Sequence, residues 1–111
     1  MTTDTIIKVG IADMNVGTGT SVLKTTGLGS CVGVTLYDPV KRIGGMAHIM
    51  LPSSEIARGP ATNPAKYADT AIPTLLERML EAGAVVRRLV AKLAGGAQMF
   101  AFQSASETMR I

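Results

Sequence analysis

The chain has 111 residues, 47% of them apolar and 17% charged, a balance that fits one folded domain over 1–111 and excludes a disordered or fibrous chain. Its net charge is +3, with no run of four basic residues and only Tyr37, Tyr67, Phe100 and Phe102 as aromatics. A nucleic-acid surface calls for a basic stripe interleaved with aromatics, so that class is set aside.

In chain order, alternation of Ile7, Val9 and Ile11 predicts a first strand over Thr5–Met14. Asn15–Ser21, with Gly17 and Gly19, reads as a loop, and β-branched Val22–Thr26 as a short second strand. Gly27-Leu28-Gly29 then forces a tight backbone ahead of Ser30 and Cys31. Val32–Tyr37 is a strand with Val32, Val34 and Leu36 on one side, and Gly33 leaves room for a neighbour on the other. Asp38-Pro39-Val40-Lys41 is a turn, because Asp caps nearby amides and Pro fixes φ. Arg42–Met50 returns as the partner strand of a hairpin. Its Gly44, Gly45 and Ala47 admit a helix or the Cys31 loop, and His48 shares a face with Met46 and Met50.

Pro52-Ser53-Ser54 ends that strand, and Glu55–Thr62 is a surface loop. Asn63 as cap and Pro64 at the first turn start a helix that runs to Ala82, with Gly83 closing it. Ala68, Ala71, Ile72, Leu75, Leu76, Met79 and Leu80 form its apolar stripe; Pro73 either kinks it, the preferred reading, or lies in the first turn of a helix that starts near Asp69. Val85–Lys92 predicts another strand, Ala94–Ala97 a small-residue bend, and Ala101–Ile111 a polar, weakly patterned end.

The only cysteine and the only histidine, Cys31 and His48, begin and end the hairpin, so adjacent strands bring a thiol and an imidazole within reach. Taken alone, each has an ordinary reading: a free cysteine as a small buried hydrophobe, a histidine as a satisfied polar group. Two details favour chemistry. Cys31 follows Gly29-Ser30, where free amides can converge on a ligand, and a Cys–His pair can attack acyl carbon. Amides of Cys31, Ser30 and the glycines of the loop, Gly27 and Gly29, are the nearest oxyanion donors. Thr25 and Thr26 both stand as third members holding the imidazole, and spacing does not choose between them. Asp38 is the acidic rival, but its turn already explains it, and Lys66-Tyr67 reads as surface at a helix start.

No metal site is predicted, because one Cys and one His in neither CxxC nor HxxxH spacing fall short of the usual ligand set. Gly27-Leu28-Gly29-Ser30 lacks the Lys-[Ser/Thr] ending of a phosphate loop, and no cofactor is expected. A single cysteine precludes an internal disulfide and suits a reducing compartment. The apolar runs stop well short of the ~20 residues that span a bilayer, and Met1–Thr5 lacks the basic start of a signal peptide. A cytoplasmic chain with no membrane insertion is the expectation.

Four blocks carry a resemblance: Thr25-Thr26-Gly27-Leu28-Gly29-Ser30-Cys31-Val32, Gly45-Met46-Ala47-His48-Ile49-Met50-Leu51-Pro52, Lys66–Ala71 and Lys92–Phe100. In this order they resemble the signature of the bacterial chemoreceptor glutamine deamidase family, CheD. The resemblance implies an α+β fold, an α/β sandwich with a mixed or antiparallel sheet and flanking helices, related to the catalytic domain of the cytotoxic necrotizing toxins. It implies a catalytic triad of Cys31, His48 and Thr25, the family placing its threonine six positions before the cysteine. It implies hydrolytic deamidation of glutamines on methyl-accepting chemotaxis receptors, through a thioester, without cofactor or metal. It also implies a partner, the chemotaxis phosphatase CheC, and a different-class alternative in which the chain only binds and regulates that phosphatase. Family members run some tens of residues past Ile111, so a domain cut short at its C-terminus is expected.

Overall fold

A computed structural model describes residues 5–57, 59–60 and 62–97. Its regular elements are β1 (Ile6–Lys8), β2 (Met14–Thr18), β3 (Val22–Lys24), β4 (Val32–Asp38), β5 (Ile43–Ile49), α1 (Ala68–Glu81) and β6 (Val90–Gly95). The main sheet has the order β2-β5-β4-β6 and is antiparallel throughout, while β1 and β3 form a separate parallel ribbon. The fold is therefore α+β, with one α-helix among the described residues.

Alternation gives the sheet two different faces. Val32, Val34 and Leu36 of β4, Ile43, Ala47 and Ile49 of β5 and Met14 of β2 are buried in one core with Ala71, Leu75 and Met79 of α1. Gly45 is what lets the helix come down: a Cβ there would stand 2.8 Å from Met79 Sδ and 2.9 Å from Leu75 Cδ1. On the opposite face Gly17 plays the same part for the ribbon, since a Cβ there would meet Ser21, Ile7 and Leu23. Gly33, opposite His48 in the β4–β5 register, has Leu28 and Thr25 over it. The hairpin with its Asp-Pro turn and the close approaches at Gly33 and Gly45 are as the sequence predicts.

Three predicted elements are drawn differently. The strand expected over Thr5–Met14 breaks after Lys8, turns at Ala12 (φ 55°), and resumes as β2 inside the stretch read as a loop. Pairing explains the split. The Ala12 amide donates to the His48 carbonyl (3.0 Å) and the His48 amide to the Asp13 carbonyl (2.9 Å), which ties this segment to the end of β5.

The single kinked helix is instead two pieces. Asn63 caps a 3-10 turn at Pro64–Lys66, its side chain accepting from the Ala65 amide, and α1 begins only at Ala68. Between them Tyr67 is extended and buried, because Leu51 bridges to it and the Leu51 carbonyl takes the Ala68 amide. Tyr67 is therefore core, not surface. Pro73 lies within α1, on an exposed position where its missing N–H leaves the Asp69 carbonyl without its helical donor.

The strand expected over Val85–Lys92 starts at Val90, since Val86–Arg88 is a 3-10 turn. That turn delivers Arg88 to Asp38. The fully buried Asp38 carboxylate accepts from Arg88 Nε (3.0 Å) and Nη2 (2.9 Å), and from the amides of Val40, Lys41 and Val85. The Arg88 guanidinium first, and the three amides after it, hold this carboxyl far below the ordinary range against the opposing effect of burial. Residues 98–111, including the end of the Lys92–Phe100 block and the polar stretch Ala101–Ile111, lie outside the described residues.

Candidate functional site

The site is built where β4 begins and β5 ends. Gly27 (φ 69°) and Gly29 (φ 48°) curl the chain so that the Cys31 amide donates to the Leu28 carbonyl at 2.6 Å. The Cys31 amide, one of the expected oxyanion donors, is thus engaged by the Leu28 carbonyl. The amides of Gly29 and Ser30 have no backbone or side-chain acceptor among the described residues. From the other side β6 clamps the cysteine. The Gly96 amide donates to the Cys31 carbonyl (2.9 Å) and the Ala97 amide to the Gly29 carbonyl (3.0 Å). Gly95, at φ 91°, must stay bare because a Cβ would fall on the Cys31 carbonyl oxygen.

Register then relates thiol to imidazole. Gly33 lies directly opposite His48, and Cys31 stands two residues before Gly33, in the bend that leads into β4. Cys31 is half-buried and reduced, whereas His48 is completely buried.

The imidazole is held at one nitrogen only. Its Nδ1 lies 2.8 Å from Thr25 Oγ1, and that hydroxyl donates onward to the Val9 carbonyl at 2.7 Å. Its Nε2 is buried without a hydrogen-bond partner among the described residues. Of the two adjacent threonines the structure brings Thr25, not the exposed Thr26, to the histidine. Asp38 is locked into its pair with Arg88, away from the histidine. No hydrogen bond joins Cys31 to His48.

An orphaned buried acceptor costs free energy, and native folds keep few of them. The Val9 carbonyl was not among the predicted site groups, and no sequence signal could have found it, because a peptide oxygen has no letter of its own. Among the described residues, no group of three or more His, Cys, Asp or Glu side chains could hold a metal, and no helix is long and apolar enough to cross a membrane.

Fold and geometry together define an α+β domain with a half-buried cysteine leading into one strand of an antiparallel hairpin and a hydroxyl-held histidine near the end of the other. Residues 50–111 match the family described as CheD chemotactic sensory transduction, a match that starts two positions after His48. The chemoreceptor glutamine deamidase CheD of Halalkalibacterium halodurans is 55% identical over 106 residues, 96% of this chain and 65% of that protein. The protein of the same name from Bacillus subtilis is 47% identical, over 96% of this chain and 64% of its own length. A probable chemoreceptor glutamine deamidase CheD of Geobacillus kaustophilus is 52% identical over the whole of this chain and 68% of its own. The chain belongs to the CheD family, and it spans about two thirds of the length of these relatives.

Proposed function

We propose that this chain, as a single deamidase domain, hydrolyses selected glutamine side chains of chemoreceptors to glutamate in the cytoplasm. The observation that carries the proposal is the buried Nε2 of His48, without a partner among the described residues and held through Nδ1 by Thr25, in the hairpin that Cys31 leads into. The names of the relatives supply the substrate class. In this reading the frame is kin to the catalytic domain of the cytotoxic necrotizing toxins, and CheC is a partner that damps activity.

The chemistry follows from those atoms. His48 Nε2 takes the Cys31 proton, and the thiolate attacks the side-chain carboxamide carbon, pushing the carbonyl electrons onto oxygen. The amides of Gly29 and Ser30, on the curl that Gly27 starts, are the donors assigned to that oxyanion. As the carbonyl re-forms, the C–N bond breaks and His48 returns its proton to the leaving ammonia. Water, deprotonated by the same nitrogen, then cleaves the thioester to give glutamate and the free thiol. The sum is glutamine plus water to glutamate plus ammonia, with no cofactor. A glutamyl methyl ester would be cleaved by the same steps.

The test incubates the chain with a purified receptor cytoplasmic fragment and follows receptor peptides by mass spectrometry and ammonia by coupled assay. Conversion is expected at a few glutamines, with ammonia in equal amount, and both Cys31→Ala and His48→Ala are expected to abolish it while remaining folded. Ammonia release that survives Cys31→Ala removes the nucleophile assignment. No conversion by a folded wild-type chain that still binds the phosphatase would move the protein to the interaction class.

A further inference from the structure

The structure assigns the third position of the site to a two-part device, the Thr25 hydroxyl together with the peptide carbonyl of Val9. We infer that Val9 is a positioning residue, through its backbone, for the proposed deamidation. This inference rests on that reading for its catalytic meaning, but its physical content stands apart from it.

A hydroxyl has one proton to give. A carbonyl oxygen can only accept, so the 2.7 Å contact between Thr25 Oγ1 and the Val9 carbonyl commits that proton to Val9. Toward His48 the hydroxyl is then left with its lone pairs alone. The 2.8 Å contact to Nδ1 must be made by an Nδ1–H donor, and the neutral ring is fixed as the tautomer whose Nε2 carries the free lone pair. The opposite arrangement, with Thr25 donating to Nδ1, would strip the Val9 carbonyl of this donor and bury an Nε2–H with no acceptor among the described residues. That makes two unsatisfied groups in place of one.

Val9 is built to stay where it is. It is 3% exposed, and its amide donates to the Lys24 carbonyl at 2.8 Å, immediately before Thr25. The β1–β3 ribbon therefore sets the carbonyl and the hydroxyl side by side, which gives β1 a task beyond covering the sheet. One consequence is unusual for a group that holds an imidazole. A carboxylate, the common orienting partner elsewhere, is unsuited to position 25, because it brings no proton for Val9 and sets two acceptors face to face.

The experiment uses the fact that His48 is the only histidine. The full chain is labelled with 15N-histidine and two-bond 1H–15N correlations are recorded above neutral pH for wild type, Thr25→Ser, Thr25→Val and Thr25→Asp, with thermal unfolding of each as the folding control. Wild type and Thr25→Ser are expected to show Nδ1 protonated and Nε2 bare, and Thr25→Val to shift toward the Nε2–H tautomer. On receptor fragment, Thr25→Ser is expected to keep kcat within about 3-fold, while Thr25→Val and Thr25→Asp each lose about 10- to 1,000-fold in kcat with KM little changed. An Nε2–H tautomer in wild type overturns the inference, and so does a Thr25→Asp variant as active as Thr25→Ser. If the tautomers come out as stated but no receptor glutamine is converted by wild type, the hydrogen-bond device stands and the deamidase reading falls.

Discussion

Replacing Gly95 by alanine tests whether the cysteine is truly clamped by β6. Two costs combine at this position. At φ 91° an L side chain is strained, which costs roughly 1–2 kcal/mol. The new Cβ also lands on the Cys31 carbonyl oxygen and crowds Leu28 Cβ at 3.1 Å, and the oxygen is backbone that cannot swing aside. Relief requires the strands to part, giving up the Gly96–Cys31 and Ala97–Gly29 bonds at about 1 kcal/mol each. The total is about 3–4 kcal/mol. For a chain of 111 residues the entropy of unfolding makes each kcal/mol worth about 4 °C, so Tm is expected to fall by about 12–16 °C. Gly19→Ala is the control, because φ there is 64° with nothing within 4 Å of an added Cβ; only the conformational cost applies, about 4–8 °C. Thermal unfolding by circular dichroism reads both, and a thiol reagent reports on Cys31, the sole cysteine, which is expected to react several-fold faster in Gly95→Ala alone. Equal losses in the two variants, with unchanged thiol kinetics, would refute the clamp.

Gly45→Ala is expected to destabilise by about 1–3 kcal/mol through overpacking against Leu75 and Met79, both fully buried, and denaturant unfolding checks it through a lower midpoint at constant slope. Acid stability should be governed in part by Asp38: its folded pKa is depressed below the unfolded value near 4, so its contribution is present in full above about pH 5 and fades as pH falls below about 4. Tm measured against pH in wild type and Asp38→Asn is expected to show a shallower acid decline in the variant, and parallel curves would count against the Asp38–Arg88 pair as its source.

The sequence made some features plain and hid others for physical reasons. The β4–β5 hairpin was readable because alternation, β-branched residues and an Asp-Pro turn all agree there. β2 was not, because Gly17, which admits the ribbon onto the sheet, looks in a sequence like a loop residue. The Asn63-Pro64 cap was a true signal for a helical start, but it serves a 3-10 turn, and the tertiary bridge from Leu51 to Tyr67 overrides continuation into α1. Cys31 and His48 could be paired from the hairpin alone. Residue types left Thr25 and Thr26 equal, and the separation came from the family resemblance and then from the contact itself. The occupied Cys31 amide and the Val9 carbonyl depend on backbone direction, which residue identities do not encode.

One balance ties the site to the fold. The buried Nε2 of His48 forgoes a hydrogen bond, at a cost on the order of 1–3 kcal/mol out of a typical total near 5–15. Among the described residues, the groups around the ring offer little to satisfy it. Gly33, opposite the ring, offers no side chain; Leu28 over Gly33 is apolar; and the Thr25 hydroxyl has its single proton engaged by Val9. These features come from different parts of the chain, the residue just after β1 for Val9, the loop after β3 for Thr25 and Leu28, β4 for Gly33 and β5 for His48 itself. The free lone pair is therefore a property of the assembled tertiary structure and cannot persist when any one of those elements detaches. The unsatisfied state marks a place where stability has been given up for reactivity.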